Sequence, residues 1–363
     1  MGLSSNEIQM KVRLTQIAFL IASALVISSC SNDSVIPEEG EGVISFIGGQ
    51  AEGEDVTRAS LSTHCTSFKV WAYKNPDATS YQEVMPGFLV NWINNSANTT
   101  ITNTNGWEYV AQAADQTIKY WDFEAAAYRY FAHAPYQNIT PTFNGNPAQS
   151  ATLTITADAT TDAAIAATPY YSELWYSNNV PAEYPGRRFG RPVTLTFLQP
   201  FVMVRYMFIF TAAGVDRTDI AARSFAPVTA GATIPRKGTV QITYPLLNGT
   251  QETVTVTSID ASKSLTSLDL DYYESSDPSD SYKEHWYTVL PPANQGDYKL
   301  AITIFGTNKE AIVPAQYMQW KPGYKYTYKF KIDEAGGITL DIIQVGINDW
   351  TERSAVNHPV YNW

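Results

Sequence analysis

The chain has 363 residues, long enough for two domains of ordinary size, and it is 44% apolar but only 16% charged. With 23 Tyr, 15 Phe and 9 Trp it is not disordered throughout, and this aromatic content suits pleated sheets better than helices. A formal net charge of -11, with no cluster of Lys and Arg to form a local exception, opposes binding to nucleic acid phosphates.

Lys11 and Arg13 precede an uncharged run from Ile17 to Ile27, the basic and apolar regions of a secretory signal. Spanning a bilayer takes roughly 20 apolar residues, so this run is too short for a stable transmembrane helix and is expected to be removed. Ile27, Ser28 and Ser29 before Cys30 resemble the bacterial lipobox, where small residues let the peptidase close on the backbone and the Cys thiol takes a diacylglycerol. Residues 1–29 are thus expected to be a lipoprotein signal peptide, with Met10 as an alternative start to Met1. Ser31, rather than Asp, follows the cysteine, which points to the outer membrane. The acidic and small residues Asp33, Glu38, Glu39, Gly40, Glu41 and Gly42 make 30–42 a flexible tether.

The chemistry of the two cysteines follows from this. Lipid consumes Cys30, leaving Cys65 with no internal disulfide partner. A lone Cys beside a lone His64 is the alternative of a nucleophile, for which nothing else in the chain argues.

From residue 43 on, short segments alternate apolar with polar or run β-branched and aromatic, with Gly, Pro, Asn and Asp between them. Strands are expected at 43–47, 68–73, 107–110, 128–133, 152–156, 193–198 and 201–210. More follow at 238–244, 253–257, 286–290, 298–305, 324–332 and 338–347. Helical periodicity is weak, with its best examples near 158–166 and 216–223. Such spacing argues for antiparallel β-sandwiches rather than βαβ units. The segment 178–192 (NNVPAEYPGRRFGRP) breaks the pattern and reads as a linker. The expected division is an N-terminal β-sandwich domain over 43–190 and a C-terminal one over 191–363.

Catalytic signatures are missing: no phosphate-cradling glycine loop followed by Lys, no CxxC, no HExxH and no GxSxG. The four histidines, His64, His133, His285 and His358, have no ligand-like spacing, so neither metal nor cofactor is expected. The acidic run Asp269, Asp271, Glu274, Asp277 and Asp280 offers the oxygen ligands calcium takes, without the spacing of a calcium loop. The stretch WYSNNVPAEYP (175–185) raises the alternative of rings presented to sugars, against the simpler reading of Tyr170, Tyr171, Trp175 and Tyr176 as packing.

The order of these motifs resembles a known family. After Cys30 and the acidic tether come VISFIGG, VTRAS at 56–60, FKVWAY at 68–73, GWEY at 106–109, KYWDFEAAAYRYFAHAP at 119–135 and YYSELWYS at 170–177. VTLTFLQPFVMVRYMF at 193–208, KPGYKYTYKFKI at 321–332 and VGINDW at 345–350 complete it. This is similar to the fimbrillin family, the type V pilins and their accessory and anchor subunits, from Cys30 to Trp350. One departure is Gln199, before Pro200, where members often carry His.

The resemblance implies two tandem transthyretin-like antiparallel β-sandwich domains, an all-β fold. It implies export as a lipoprotein to the outer membrane and cell surface, a place in extracellular fimbriae, and no enzymatic activity. The partners are then other fimbrial subunits, in a homo- or hetero-polymer, together with a host or bacterial surface ligand for adhesion. It also implies proteolysis after an Arg or Lys behind the first strand, here between Arg58 and Ala59. Arg58 is the sole basic residue between Arg13 and Lys69. The strand so removed carries Ile44 and Phe46 on one face and Val43 and Ile47 on the other. A strand from another subunit would replace it, since an exposed sheet edge is a template for pairing. Ile338, Leu340 and Ile342, on one face of 338–347, make that segment the expected donor. The tail Thr351 to Trp363 is the alternative, weakened by Pro359, which has no ladder N–H. A surface glycan-binding lipoprotein of a nutrient-uptake system is the competing reading; it needs neither a cleavable Arg58 nor a removable strand.

Overall fold

In the segment ATLTITAD, Ala151, Leu153, Ile155 and Ala157 are buried while the residues between them are half-buried or exposed. That period of two is what a pleated strand with one face in the core imposes. The same pattern, or a continuous apolar run where both faces are covered, recurs along the chain. The computed structural model describes residues 42–363 except 50–64, 77–80, 94–101, 104–105, 136–138, 140–141, 144–149, 211–219, 245–250, 269–286, 293–295, 334–336, 348–355 and 360–363.

The first strands are β1 (Phe46–Gly49), β2 (Ser67–Lys74), β3 (Gln82–Trp92), β4 (Trp107–Glu108), β5 (Tyr128–Ala134), β6 (Thr142–Phe143) and β7 (Ala151–Asp158). After helix α1 (Asp162–Ala167) come β8 (Tyr170–Ser172), β9 (Trp175–Ser177), β10 (Val193–Leu198), β11 (Val202–Phe210), β12 (Ile220–Pro227), β13 (Ile234–Pro235), β14 (Lys237–Tyr244) and β15 (Thr253–Ile259). The remainder are β16 (Ser264–Leu265), β17 (Tyr287–Val289), β18 (Tyr298–Ile304), β19 (Thr307–Val313), β20 (Tyr324–Ile332), β21 (Ile338–Ile347) and β22 (Val356–Pro359). The protein is all-β, built as sandwiches.

One sheet runs β1-β10-β8-β5-β2-β3-β4, with β9 also on β5. Its central strand β5 is buried at every position, Arg129 and His133 included. Tyr128, Tyr130 and Ala132 face one core with Val70 and Ala72 of β2. Phe131 faces the opposite side with Trp71 and Tyr73, against the sheet β15-β14-β7-β6. Phe131 stacks on Trp71 at 5.7 Å and on Tyr244 at 4.7 Å between ring centroids. The second sandwich sets β17-β11-β20-β21-β22 against β12-β18-β19. Tyr206, Phe208, Tyr328 and Phe330 meet Phe225, Tyr298, Leu300 and Ile302 in its core.

Strands on either side of residue 190 are hydrogen-bonded together: β10 pairs with β1 and β8, and β14 pairs along its whole length with β7. The helix expected near 158–166 is α1, opened by Thr161, whose hydroxyl accepts from the Ala164 N–H at 3.1 Å. The helix expected near 216–223 is overturned. Its described part, from Ile220, is strand β12, which pairs antiparallel with β18 and bulges between Ala221 and Arg223. Ala and Arg favour helix locally, but the ladder to β18 pairs one edge of the backbone along the segment instead. Strand β3 escapes a reading by periodicity because Pro86 and Gly87 interrupt it. The ladder absorbs them as a bulge, with Val70 opposite Phe88, Trp71 opposite Pro86, and Gly87 at φ +75° between them.

Candidate functional site

The first described segment, Val43–Gly49, lies along the edge of the first sheet. Phe46, Ile47, Gly48 and Gly49 run parallel to Val193, Thr194, Leu195 and Thr196 of β10. The lead-in is held on both sides: the Val193 N–H donates to the Ser45 carbonyl at 2.8 Å, and the Ile44 N–H donates to the Lys119 carbonyl at 2.9 Å. Val43 forms an isolated antiparallel bridge with Tyr120. The expected alternation is found at the core face, where Ile44 and Phe46 are fully buried in one cluster. Val43 is also buried, and Ile47 is half-buried.

Phe46 occupies an aromatic cage. Its ring meets Phe68, Tyr109 and Tyr130 edge-on at 5.7, 5.9 and 6.2 Å, with interplanar angles of 83°, 79° and 77°. Such edge contacts set the positive rim of one ring against the negative face of another. Behind them Phe68 touches Trp107 and Phe197 at 5.0 and 5.4 Å. Burial of Ile44 and Phe46 is worth roughly 3 to 6 kcal/mol together, on an area basis. The seven-residue segment is thus attached by one ladder, a few clamping hydrogen bonds and two large side chains.

The cage residues Phe68, Tyr109 and Tyr130, and Lys119, whose carbonyl holds Ile44, were not singled out from the sequence. The signal was present, since GWEY, FKVWAY and YRYF supply the rings, but periodicity does not say which rings surround one another. Burial pushes the Tyr109 and Tyr130 phenol pKa values up, so both stay protonated. The Tyr130 hydroxyl, fully buried beside Phe46, has no hydrogen-bond partner among the described residues.

Cys30, Arg58 and Ala59 lie outside the described residues, as does His64. The acidic run at 269–280 lies outside them as well, and among the described residues no three His, Cys, Asp or Glu side chains gather as a metal site. Cys65 is free and buried, and burial pushes its thiol pKa up to about 11, which leaves little thiolate at neutral pH. Trp175 and Tyr176 are buried, Trp175 against Trp121 and Tyr130, so these rings pack inside rather than facing solvent. Gln199 is buried and donates to the Ile165 carbonyl at 3.2 Å, holding the C-terminal end of α1.

The segment 338–347 is the inner strand β21, antiparallel to β20 on one side and β22 on the other. Leu340 is in the second core, with Ile338 half-buried against it. Ile342 sits opposite Lys329 of β20 and Pro359 of β22. β22 is the outermost strand of that sheet, where a proline lacking its N–H is tolerated.

No family model matches the chain, and no curated protein matches it. Solved structures similar to it include a fimbrial protein from Bacteroides vulgatus, at 15% identity, covering 85% of this chain and 99% of that one, with a TM-score of 0.42. A fimbrial assembly protein from Parabacteroides distasonis has 12% identity, coverage of 88% and 99%, and a TM-score of 0.37. A proposed cell adhesion protein from Bacteroides uniformis has 16% identity, coverage of 85% and 100%, and a TM-score of 0.39.

Proposed function

We propose that this protein is a cell-surface subunit of a type V fimbrial polymer that supports adhesion, exported as an outer-membrane lipoprotein through Cys30 and assembled by β-strand exchange. The observation that carries the reading is the seating of Val43–Gly49: a short segment whose one strand ladder is to β10, with Phe46 plugged into a cage of three rings. Cleavage between Arg58 and Ala59 would release lipid and strand together, leaving the Val193–Thr196 ladder and the cage without an occupant. Unpaired backbone groups and an emptied apolar slot need a replacement strand. A segment from another subunit, with large apolar side chains at alternate positions, fits that need.

Two donors compete within the proposal. Strand β21 has Ile338 and Leu340 on one face, but a bulge at residue 341 sets Ile342 opposite Lys329, off the register of Leu340 opposite Phe330, against the expected single face. The tail from Thr351 to Trp363 includes the edge strand β22, which has one ladder, to β21. The transthyretin-like form of the two sandwiches belongs to the same reading, as does a structural rather than enzymatic role.

The test is the mature N-terminus of the native surface protein, read by mass spectrometry, together with gel ladders from an Arg58→Ala strain. Ala59 as the first residue and loss of heat-labile, detergent-resistant ladders in the variant are expected. A mature chain that still begins at Cys30, or ladders that survive Arg58→Ala, would overturn cleavage and exchange.

A further inference from the structure

We propose that the strand which replaces Val43–Gly49 in the assembled polymer carries a hydrogen-bond acceptor on its core-facing side, and that the Tyr130 hydroxyl and the Trp121 indole N–H read it. The inference rests on the strand-exchange reading above and adds to it the chemistry of the incoming segment.

The two side chains that Val43–Gly49 buries most deeply, Ile44 and Phe46, have no polar atom. Two donors beside them are left over. Tyr130, fully buried, and Trp121, 5% exposed, have no hydrogen-bond partner for Oη and Nε1 among the described residues. Both belong to one group of rings. Tyr130 meets Phe46 edge-on at 6.2 Å, Trp121 lies 6.0 Å from Tyr130, and Trp175 touches both, at 5.2 Å from Tyr130 and 6.0 Å from Trp121.

The phenols on either side of Tyr130 are partnered. Tyr109 holds the Ile44 carbonyl, and the Tyr128 hydroxyl accepts from the Asp122 N–H at 2.7 Å. These same two phenols act on the titration of Tyr130, in keeping with a hydroxyl that lies close to theirs.

A buried donor without an acceptor costs free energy, which an apolar side chain does not relieve. The first strand is therefore an incomplete occupant: its apolar side chains fit the slot, and its polar complement is missing. A strand that brings an acceptor gains what the first strand forgoes. That difference favours replacement over return of the first strand and discriminates against wholly apolar segments. Within this chain, the face of β21 formed by Ile338 and Leu340 offers no acceptor, whereas the tail from Thr351 to Trp363 has Ser354, Asn357 and Asn362 among its apolar residues.

Tyr130→Phe removes one donor and keeps the ring. In the full chain carrying Arg58→Ala, which retains its first strand, this change should raise the folding equilibrium constant roughly fivefold or more in denaturant unfolding. Tyr128→Phe, which removes a partnered hydroxyl from the same strand, should lower it. With Arg58 intact, Tyr130→Phe should instead lower the temperature at which the polymer ladders dissolve. A packing role for Tyr130 would move both readouts in the same direction. An uncleaved Tyr130→Phe chain no more stable than its parent, or Tyr130→Phe ladders as heat-resistant as the parent's, would overturn the proposal. Absence of ladders from the parent itself would instead overturn strand exchange, and this inference with it.

Discussion

The Tyr109 hydroxyl donates to the Ile44 carbonyl at 3.0 Å and accepts from the Lys119 N–H at 2.9 Å, so one phenol ties the first strand to the segment that flanks it. Tyr109→Phe leaves a buried carbonyl and a half-buried N–H without this partner, at a cost of about 1 to 3 kcal/mol. The loss is local to the first strand. Amide exchange over residues 43–49 should quicken more than exchange in β20, and equal protection in variant and parent would refute this.

Phe46→Ala empties the cage formed by Phe68, Tyr109 and Tyr130. Rings held by packing on several sides collapse poorly around a hole, so a loss of about 3 to 5 kcal/mol is expected in denaturant unfolding. Tyr120→Ala, at a ring 59% exposed beside the same strand, should change stability by less than about 0.5 kcal/mol. Similar costs for the two would show that the cage does not hold the strand.

The lipid anchor has its own signature. Cys30→Ala removes the thiol that takes the diacylglycerol, and the protein should lose fatty-acid labelling and leave the membrane fraction. A variant that still labels and sediments with membranes would refute lipidation at Cys30.

His133 gives the pH dependence. Its ring is fully buried, with Nδ1 at 3.1 Å from the Pro135 carbonyl oxygen, and burial chiefly lowers its pKa from 6.5 to about 4, with Lys69 lowering it further. The folded state therefore favours the neutral ring. Its contribution is fully present above pH 6.5 and is lost as pH falls from 6.5 to 4, by up to about 3 kcal/mol. Glu252 acts in the opposite sense: burial raises its pKa, so its protonation relieves the fold as pH falls. Stability measured from pH 7 to 4.5 should fall less steeply in His133→Gln than in the parent, and parallel curves would count against the assignment.

Local pattern by itself determined much of this protein. Strands β10, β20 and β21 span the residues expected from their alternation, and the two apolar positions of the first strand, Ile44 and Phe46, face one core as a period of two requires. Those features depend on neighbours one or two residues away, which a linear chain displays. Only the tertiary structure decided that Phe46 lies parallel to Val193, that β14 completes a sheet with β7, and that Ile220–Pro227 is a strand despite its helical composition. The register of distant strands, and the rings that close around Phe46, are set by complementarity between surfaces far apart in the chain. A propensity worth tenths of a kcal/mol per residue yields to a ladder that pairs one edge of the strand with β18 along its length.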